Sequence, residues 1–254
     1  MKSMRRLFPV GASVALVAGL LAVVVPAASA ASPKWTLTYY NGDLGPYTMP
    51  APPHNDTIAT FAFDLAPNQA LLTSADPQVL QHGNLLGKTV TATASITAVK
   101  DTTFTGYDTC PNGLPPTVRF YFETKLPLGA QTTQPGLGDD QLWWSNPVSI
   151  SLADLFAAGR HGSTLSVSFD PANWSNLVGT PGDQLVGTYS ADFSTAASNV
   201  SKVGFSFGSG CSFAFGDGSS PAGAFFNLLN FSTQSGNHGG GHGNNGGGHG
   251  NRHH

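Results

Sequence analysis

The stretch TVTATASI at residues 89–96 decides the fold, because polar and apolar side chains alternate in it without interruption. A period of two places successive side chains on opposite faces of a β-strand, so one face can be buried while the other meets solvent. The same alternation occurs at residues 35–39, 165–169 and 203–207. These four runs predict strands that each bury one face.

Two further runs, at residues 118–123 and 224–231, are rich in aromatic and apolar residues and also predict strands. Clusters of Gly, Pro, Asn and Asp separate the runs, as turns require. Helical periodicity is scarce, and residues 152–158 and 191–199 predict one or two helical turns each. Short strands without long helices predict an all-β fold, a two-sheet β-sandwich or jelly roll.

The N-terminus has the features of a secretory signal peptide. A basic head with Lys2, Arg5 and Arg6 precedes an apolar run over residues 7–26, which ends at the small residues of 28–30. We expect removal of residues 1–30 and secretion of the remainder. A membrane anchor is the alternative for a run of this length. The adjacent arginines leave the twin-arginine and the general export routes both open.

The composition of the mature chain limits the kinds of partner that it can bind. Residues 1–30 contain three basic and no acidic residues, so eight Lys and Arg remain against fourteen Asp and Glu, a net charge of −6. Nucleic-acid affinity depends largely on Lys and Arg at phosphates, so we expect no nucleic-acid partner. No second apolar run is long enough to span a membrane. Residues 31–233 are sufficient for one β-sandwich domain.

The composition changes abruptly at the C-terminus. Residues 234–254 consist mostly of Gly, Asn and His, with almost no apolar side chain to bury, so we expect a disordered tail. Imidazole suits Zn²⁺, Ni²⁺ and Cu²⁺, so the tail is a candidate adventitious metal site, and we expect no required cofactor. A low-complexity spacer is the alternative. The candidate ligands are His238, His242, His249, His253 and His254.

Two cysteines remain in the mature chain, Cys110 and Cys211. An even pair in an exported protein predicts a disulfide. The bridge would close a loop of about 100 residues, for which the chain-entropy model gives roughly 4–5 kcal/mol before any strain. Two separate thiols are the alternative.

Several segments together resemble a known group. They are PTVRFYFET at 116–124, WWSNP at 143–147, DPANWSN at 170–176 and VGFSFG at 203–208, with Cys110 and Cys211 beside them. The combination resembles a group of uncharacterised secreted bacterial proteins whose jelly-roll body is similar to carbohydrate-binding modules. The resemblance covers roughly residues 87–231. It implies the fold and a disulfide, and it suggests a glycan as ligand class.

Candidate catalytic groups are few. The pattern Gly-x-Ser-x-Gly at 204–208 needs a strained strand-to-helix turn to present its serine, and here it lies in an alternating strand. The mature chain has a single Glu, Glu123, so a pair of Glu for glycoside hydrolysis cannot be built. An Asp pair remains as a hydrolase alternative, with Asp139, Asp140 and Asp170 closest to aromatic residues. Turn sequences such as GLGDD and DP equally explain these residues.

Other polar residues give weaker indications. His54, His82 and His161 lie in segments rich in Pro or Gly and predict loops rather than a clustered metal site. Asp217, in the sequence GDGS, would supply a single carboxylate, whereas Ca²⁺ takes six to eight oxygens.

The tryptophans are the best functional candidates in the sequence. Trp143 and Trp144 are adjacent, so on a strand one should be buried and the other should be exposed. Trp174 follows a Pro-Ala-Asn turn and is a further candidate for an exposed ring. Exposed rings stack on sugars, so these three residues predict a non-catalytic module that binds a carbohydrate or a cell-envelope polymer. A hydrolase that uses Asp and a structural surface protein without a small ligand are the alternatives. Core packing is the competing explanation for the tryptophans themselves.

Overall fold

The computed structural model describes residues 34–40, 46–106, 115–125, 140–176, 179–184, 193–209 and 216–235. The predicted signal peptide, both cysteines and the tail from residue 236 lie outside these residues. No helix within the described ranges is long and apolar enough to cross a membrane.

The described residues form thirteen strands and two short helices. The helices are α1 (Leu152–Ala157) and α2 (Phe193–Ala197). The strands are β1 (Thr36–Tyr40), β2 (Pro46–Pro50), β3 (Ala59–Ala62), β4 (Gln69–Ser74), β5 (Lys88–Thr97), β6 (Thr103–Gly106), β7 (Pro116–Lys125), β8 (Asp140–Ser151), β9 (Ser163–Ser168), β10 (Trp174–Asn176), β11 (Val200–Ser209), β12 (Asp217–Ser220) and β13 (Phe225–Ser235).

The strands pair into two antiparallel sheets, which confirms the predicted β-sandwich. The larger sheet has nine strands, with the order β10-β8-β7-β11-β4-β1-β2 and with β12 and β6 attached beside β4. The smaller sheet has the order β3-β13-β5-β9. Strand β2 is an edge strand with Pro46 and Pro50 at its two ends, and all five of its residues are exposed.

The sequence patterns located six of the thirteen described strands, four of them by period-two alternation. All six predicted runs are strands, namely β1, β5, β7, β9, β11 and β13, and both predicted helical turns are present as α1 and α2. Strand β13 continues through Ser235, where it pairs with Lys88, so it extends two residues past the expected end of the body at 233.

Aromatic rings fill the core between the sheets. Phe122 stacks on Trp143 with centroids 5.9 Å apart and meets Trp174 edge-on at 5.0 Å. Phe205 of β11 stacks on Phe120 of β7 at 5.3 Å. Edge and offset contacts of this kind stabilise a core beyond the area they bury. The aromatic residues of the alternating strands are therefore core residues.

One glycine of the Gly-x-Ser-x-Gly pattern is required by packing. A Cβ at Gly204 would lie 2.0 Å from the carbonyl oxygen of Leu72 on the neighbouring strand β4. Ser206 lies inside β11, paired with Leu71 and Arg119, and not on a strand-to-helix turn. The pattern is therefore part of a buried strand.

Candidate functional site

The adjacent tryptophans do lie on opposite faces of β8, but both are buried. Trp143 belongs to the core between the sheets and is 0 % exposed. Trp144 is 1 % exposed and packs with Leu71 and Tyr121 in a second apolar cluster on the other face of the larger sheet. The prediction that one of the two is exposed is wrong, because this part of the larger sheet is buried on both faces.

Trp174 is also buried, at 0 % exposure. Its indole N–H donates a hydrogen bond of 2.9 Å to the Ser168 carbonyl oxygen, and its ring contacts Phe169 at 4.7 Å. A ring held in this way cannot stack on a sugar without opening the core. The prediction of an exposed Trp174 is wrong, and core packing explains all three tryptophans.

The carboxylates of the hydrolase alternative do not form a site among the described residues. Asp170 is exposed and accepts a hydrogen bond of 3.0 Å from the Ala172 amide, which is the turn role expected of an Asp-Pro sequence. Asp139 lies outside the described residues, and Asp140 is described only as the first residue of β8. Glu123 is buried, with an ion pair to Lys202 at 2.8 Å and a hydrogen bond from the Tyr121 hydroxyl at 2.8 Å.

The described residues contain no cluster of three or more His, Cys, Asp or Glu that could hold a metal. His54, His82 and His161 are exposed residues outside the strands, as their sequence context predicts. The five histidines of the tail and the two cysteines lie outside the described ranges.

A groove of about 1000 Å³ opens where the smaller sheet ends beside β1 and β2. The smaller sheet ends at β3 and does not cover β2. The side of β2 that points in the same direction as the core residues of β1 is therefore open to solvent. Met49 of β2 and Phe225 of β13 line the groove and are 43 % and 44 % exposed. Exposed side chains of this size are uncommon on this protein, and here they line one concave surface.

Tyr47 stands next to this groove on the same face of β2 as Met49, and it is 50 % exposed. Its ring lies parallel to the ring of Tyr39, with centroids 5.0 Å apart and an interplanar angle of 5°. Tyr39 is itself buried in the groove floor. The buried ring therefore fixes the orientation of the exposed one.

Polar side chains line the same groove. Asp64, Asn227 and Arg160 project from three different segments, and the segment from Pro52 to Thr57 adds His54 and Asp56. Burial raises the pKa of the Tyr39 hydroxyl, and the negative charge of Asp64 raises it further. The groove thus combines the exposed ring of Phe225, and the ring of Tyr47 beside it, with hydrogen-bond donors and acceptors.

A second polar cluster is buried at the joint between β4 and β12. Asp217 and Gln69 are direct cross-strand neighbours and both are 0 % exposed. Neither side chain makes a hydrogen bond of good geometry to any described residue. The backbone N–H of Gly208 approaches the Asp217 carboxylate, and the Tyr39 hydroxyl approaches the side-chain amide of Gln69. Loss of solvation raises the pKa of Asp217 well above its usual range, against the opposing effects of Gly208 and the Arg119 guanidinium.

We expect Asp217→Asn to stabilise the protein at neutral pH. The folded protein holds the Asp217 proton more tightly than the unfolded chain. The contribution of Asp217 to stability is therefore largest at low pH and is lost as pH rises from about 4 through the folded-state pKa. The two proteins should be equally stable near pH 4, and the variant should be more stable by about 1–3 kcal/mol at pH 7. Urea unfolding over this pH range measures the difference.

The exposed Asp183 provides the control, because Asp183→Asn makes the same substitution in solvent and should leave the free energy of unfolding at pH 7 unchanged. A wild-type protein more stable than Asp217→Asn at pH 7 would contradict the prediction. It would mean that attraction between Asp217 and Arg119 outweighs the desolvation of the carboxylate.

Sequence reasoning missed Tyr47, Met49 and Phe225. The segment PYTMP at residues 46–50 is framed by prolines and has no run of β-branched residues, so it does not predict a strand. Its alternation of Tyr and Met with Thr is the one signal that could have located it. Phe225 was assigned to a strand correctly, but nothing in the sequence marks its face as open.

No family model, no curated protein and no solved structure matches the chain significantly. The resemblance to secreted jelly-roll proteins therefore stays a prediction, and the geometry of the groove is the main indication of function.

Proposed function

We propose that this protein is a secreted, non-catalytic binding module that holds an uncharged glycan chain in the groove between β2 and the edge of the smaller sheet. The observation that supports this most directly is the exposed ring of Tyr47, fixed by its parallel contact with Tyr39. Sugars present C–H faces that pack on such rings, and a ring that is already oriented loses little freedom on binding.

The charges of the groove favour an uncharged ligand. Asp56 and Asp64 are balanced in part by Arg160, so the groove carries charges of both signs. A strongly anionic or cationic polymer would meet like charges on part of this surface. An uncharged glycan can use the same carboxylates, amides and guanidinium as hydrogen-bond partners.

We expect Tyr47→Ala to weaken glycan binding by about tenfold to a hundredfold. Loss of a stacking ring costs roughly 1–3 kcal/mol, by analogy with stacking of bases on aromatic side chains. Calorimetric titration with cellohexaose and chitohexaose, and with polygalacturonate as an anionic probe, measures the affinity. Val99→Ala removes a side chain that is 63 % exposed outside the groove, and it should leave the affinity unchanged. Equal affinities of Tyr47→Ala and wild type would exclude Tyr47 from the site.

The hydrolase alternative is tested by the same samples. Asp56 and Asp64 are two carboxylates in one groove, and paired carboxylates are what glycoside hydrolysis requires. Chromatography of the oligosaccharides after prolonged incubation should show intact chains. Shortened chains would replace the binding module with a hydrolase, and no binding of any glycan would favour the structural surface protein.

We also propose that Cys110 and Cys211 form the predicted disulfide. On either side of both cysteines the described strands are in register, with Gly106 opposite Asp217 and Pro116 opposite Ser209. The two connecting segments therefore begin and end next to each other at the same end of the larger sheet. This arrangement supports the pairing.

A further inference from the structure

The outer surface of the smaller sheet has an ordered arrangement of uncharged polar side chains. Three aligned rows cross β9, β5 and β13, and in each row the residues are direct cross-strand neighbours. We call this surface the hydroxyl face. It consists of Thr164, Thr93 and Asn230 in the first row, Ser166, Thr91 and Ser232 in the second, and Ser168, Thr89 and Gln234 in the third.

The rows form a lattice of nearly constant spacing. Neighbouring strands lie about 4.8 Å apart, and residues two apart on one strand lie about 6.8 Å apart. Thr91 and Ser166 are joined by a hydrogen bond of 2.9 Å, and Thr93 and Thr164 by one of 3.0 Å. Each such pair uses one of its two hydroxyl protons, so one donor and several lone pairs in each pair remain available.

Charge is missing from this surface. None of the outward-facing side chains in the described strands of the smaller sheet is charged. Strand β9 is an edge strand with the sequence STLSVS, and it has neither a proline nor a charged residue. Edge strands usually have such residues because they prevent association with other chains. An edge strand without these residues, next to an uncharged face, is consistent with a surface that binds another molecule.

The groove reaches the outer side of the smaller sheet, on which the hydroxyl face also lies. Asn227 donates a hydrogen bond of 3.1 Å to the Thr97 hydroxyl and accepts one of 3.2 Å from the Thr60 hydroxyl. All three residues belong to the outer side of the smaller sheet, and all three also line the groove. The exposed ring of Phe225 lies opposite Thr97 at the same boundary. The groove and the hydroxyl face therefore share one side of the sheet, with the buried Ser95 between them on β5.

We infer that the hydroxyl face binds the flat surface of an insoluble, uncharged polysaccharide while one chain of that polymer occupies the groove. The inference depends on the proposed glycan binding and extends it from a single chain to a polymer surface. The hydroxyl face matches such a surface in chemistry, since both present regularly spaced hydroxyl groups without charge. Each contact contributes little on its own, so adsorption requires many aligned contacts together with the rings of the groove.

The test separates adsorption on a solid from binding of a soluble chain. The variant Thr93→Lys with Gln234→Lys places two long charged side chains on the hydroxyl face, in different rows and at positions that do not line the groove. We expect its partition onto microcrystalline cellulose or chitin powder to fall at least tenfold, while its affinity for cellohexaose or chitohexaose in solution stays equal to that of wild type. The matched control, Gln184→Lys with Thr195→Lys, adds the same charge at exposed positions outside the smaller sheet and should adsorb like wild type.

The outcomes distinguish this inference from the proposed function. Retained adsorption of Thr93→Lys with Gln234→Lys would overturn the hydroxyl face as a binding surface and leave the groove intact. Binding of soluble oligosaccharides without any adsorption of wild type would do the same. Failure to bind either form would overturn the proposed function. Dimers of wild type in sedimentation that the lysine variant abolishes would make a second copy of the chain the occupant of this face, and would also overturn the inference.

Discussion

Trp174→Ala should lower the free energy of unfolding by about 3–5 kcal/mol, the usual cost of truncating a buried tryptophan. The indole is 0 % exposed, touches Phe122 and Phe169, and donates a hydrogen bond to the Ser168 carbonyl oxygen. Its removal leaves a cavity between the sheets and an unsatisfied carbonyl group. For a domain of this size the melting temperature should fall by about 10 °C or more. Urea unfolding and calorimetry measure the two quantities.

Two further variants make this experiment specific. Trp174→Phe keeps most of the ring and loses the hydrogen bond, so it should cost about 1–2 kcal/mol. Val99→Ala removes a side chain that is 63 % exposed and should change stability by no more than about 0.5 kcal/mol. If Trp174→Ala is as stable as wild type, the indole is not a core residue, and a role for it in sugar binding has to be considered again.

Loss of the proposed bridge between Cys110 and Cys211 should have an effect of similar size. A closed loop of about 100 residues restricts the unfolded chain strongly, and removal of a native disulfide typically costs about 2–5 kcal/mol. The double variant Cys110→Ser with Cys211→Ser should therefore unfold at markedly lower urea concentration than the oxidised wild type. Peptide mapping without reductant should show the two cysteine peptides as one linked species.

The single serine variants provide the control for the disulfide. If the two residues act only as a bridge, Cys110→Ser, Cys211→Ser and the double variant should lose the same stability, and reduced wild type should match them. Two separately alkylated peptides from unreduced wild type would show that the thiols are free. The pairing would then be wrong.

The fold could be predicted largely from periodicity. Residues 89–96 alternate because β5 buries Val90, Ala92 and Ala94 and turns its threonines outward. Strands whose faces are both buried do not alternate in this way. Strand β4, with the sequence QALLTS, is buried at every position, so its residues give no period-two signal. Strand β4 forms because it pairs with β1 on one side and β11 on the other, which its own sequence does not reveal.

The site could not be predicted because exposure depends on where the sheets end. Trp144 and Tyr47 are both aromatic residues on strands of the same sheet. Trp144 is buried in the second cluster, whereas Tyr47 is half exposed on an edge strand that the smaller sheet does not cover. Nothing local to either residue distinguishes the two cases. The order of strands within each sheet decides which ring is available to a ligand, and the sequence does not state that order.

The two prolines of β2 also affect how copies of this protein meet one another. An edge strand with exposed Tyr47 and Met49 would normally be a template for fibrillar aggregation, because its free backbone groups can pair with a strand of another molecule. Pro46 and Pro50 have no N–H group, so neither end of β2 can donate to an added strand. The protein can therefore display an apolar patch at its rim and still resist growth into intermolecular sheets at high concentration.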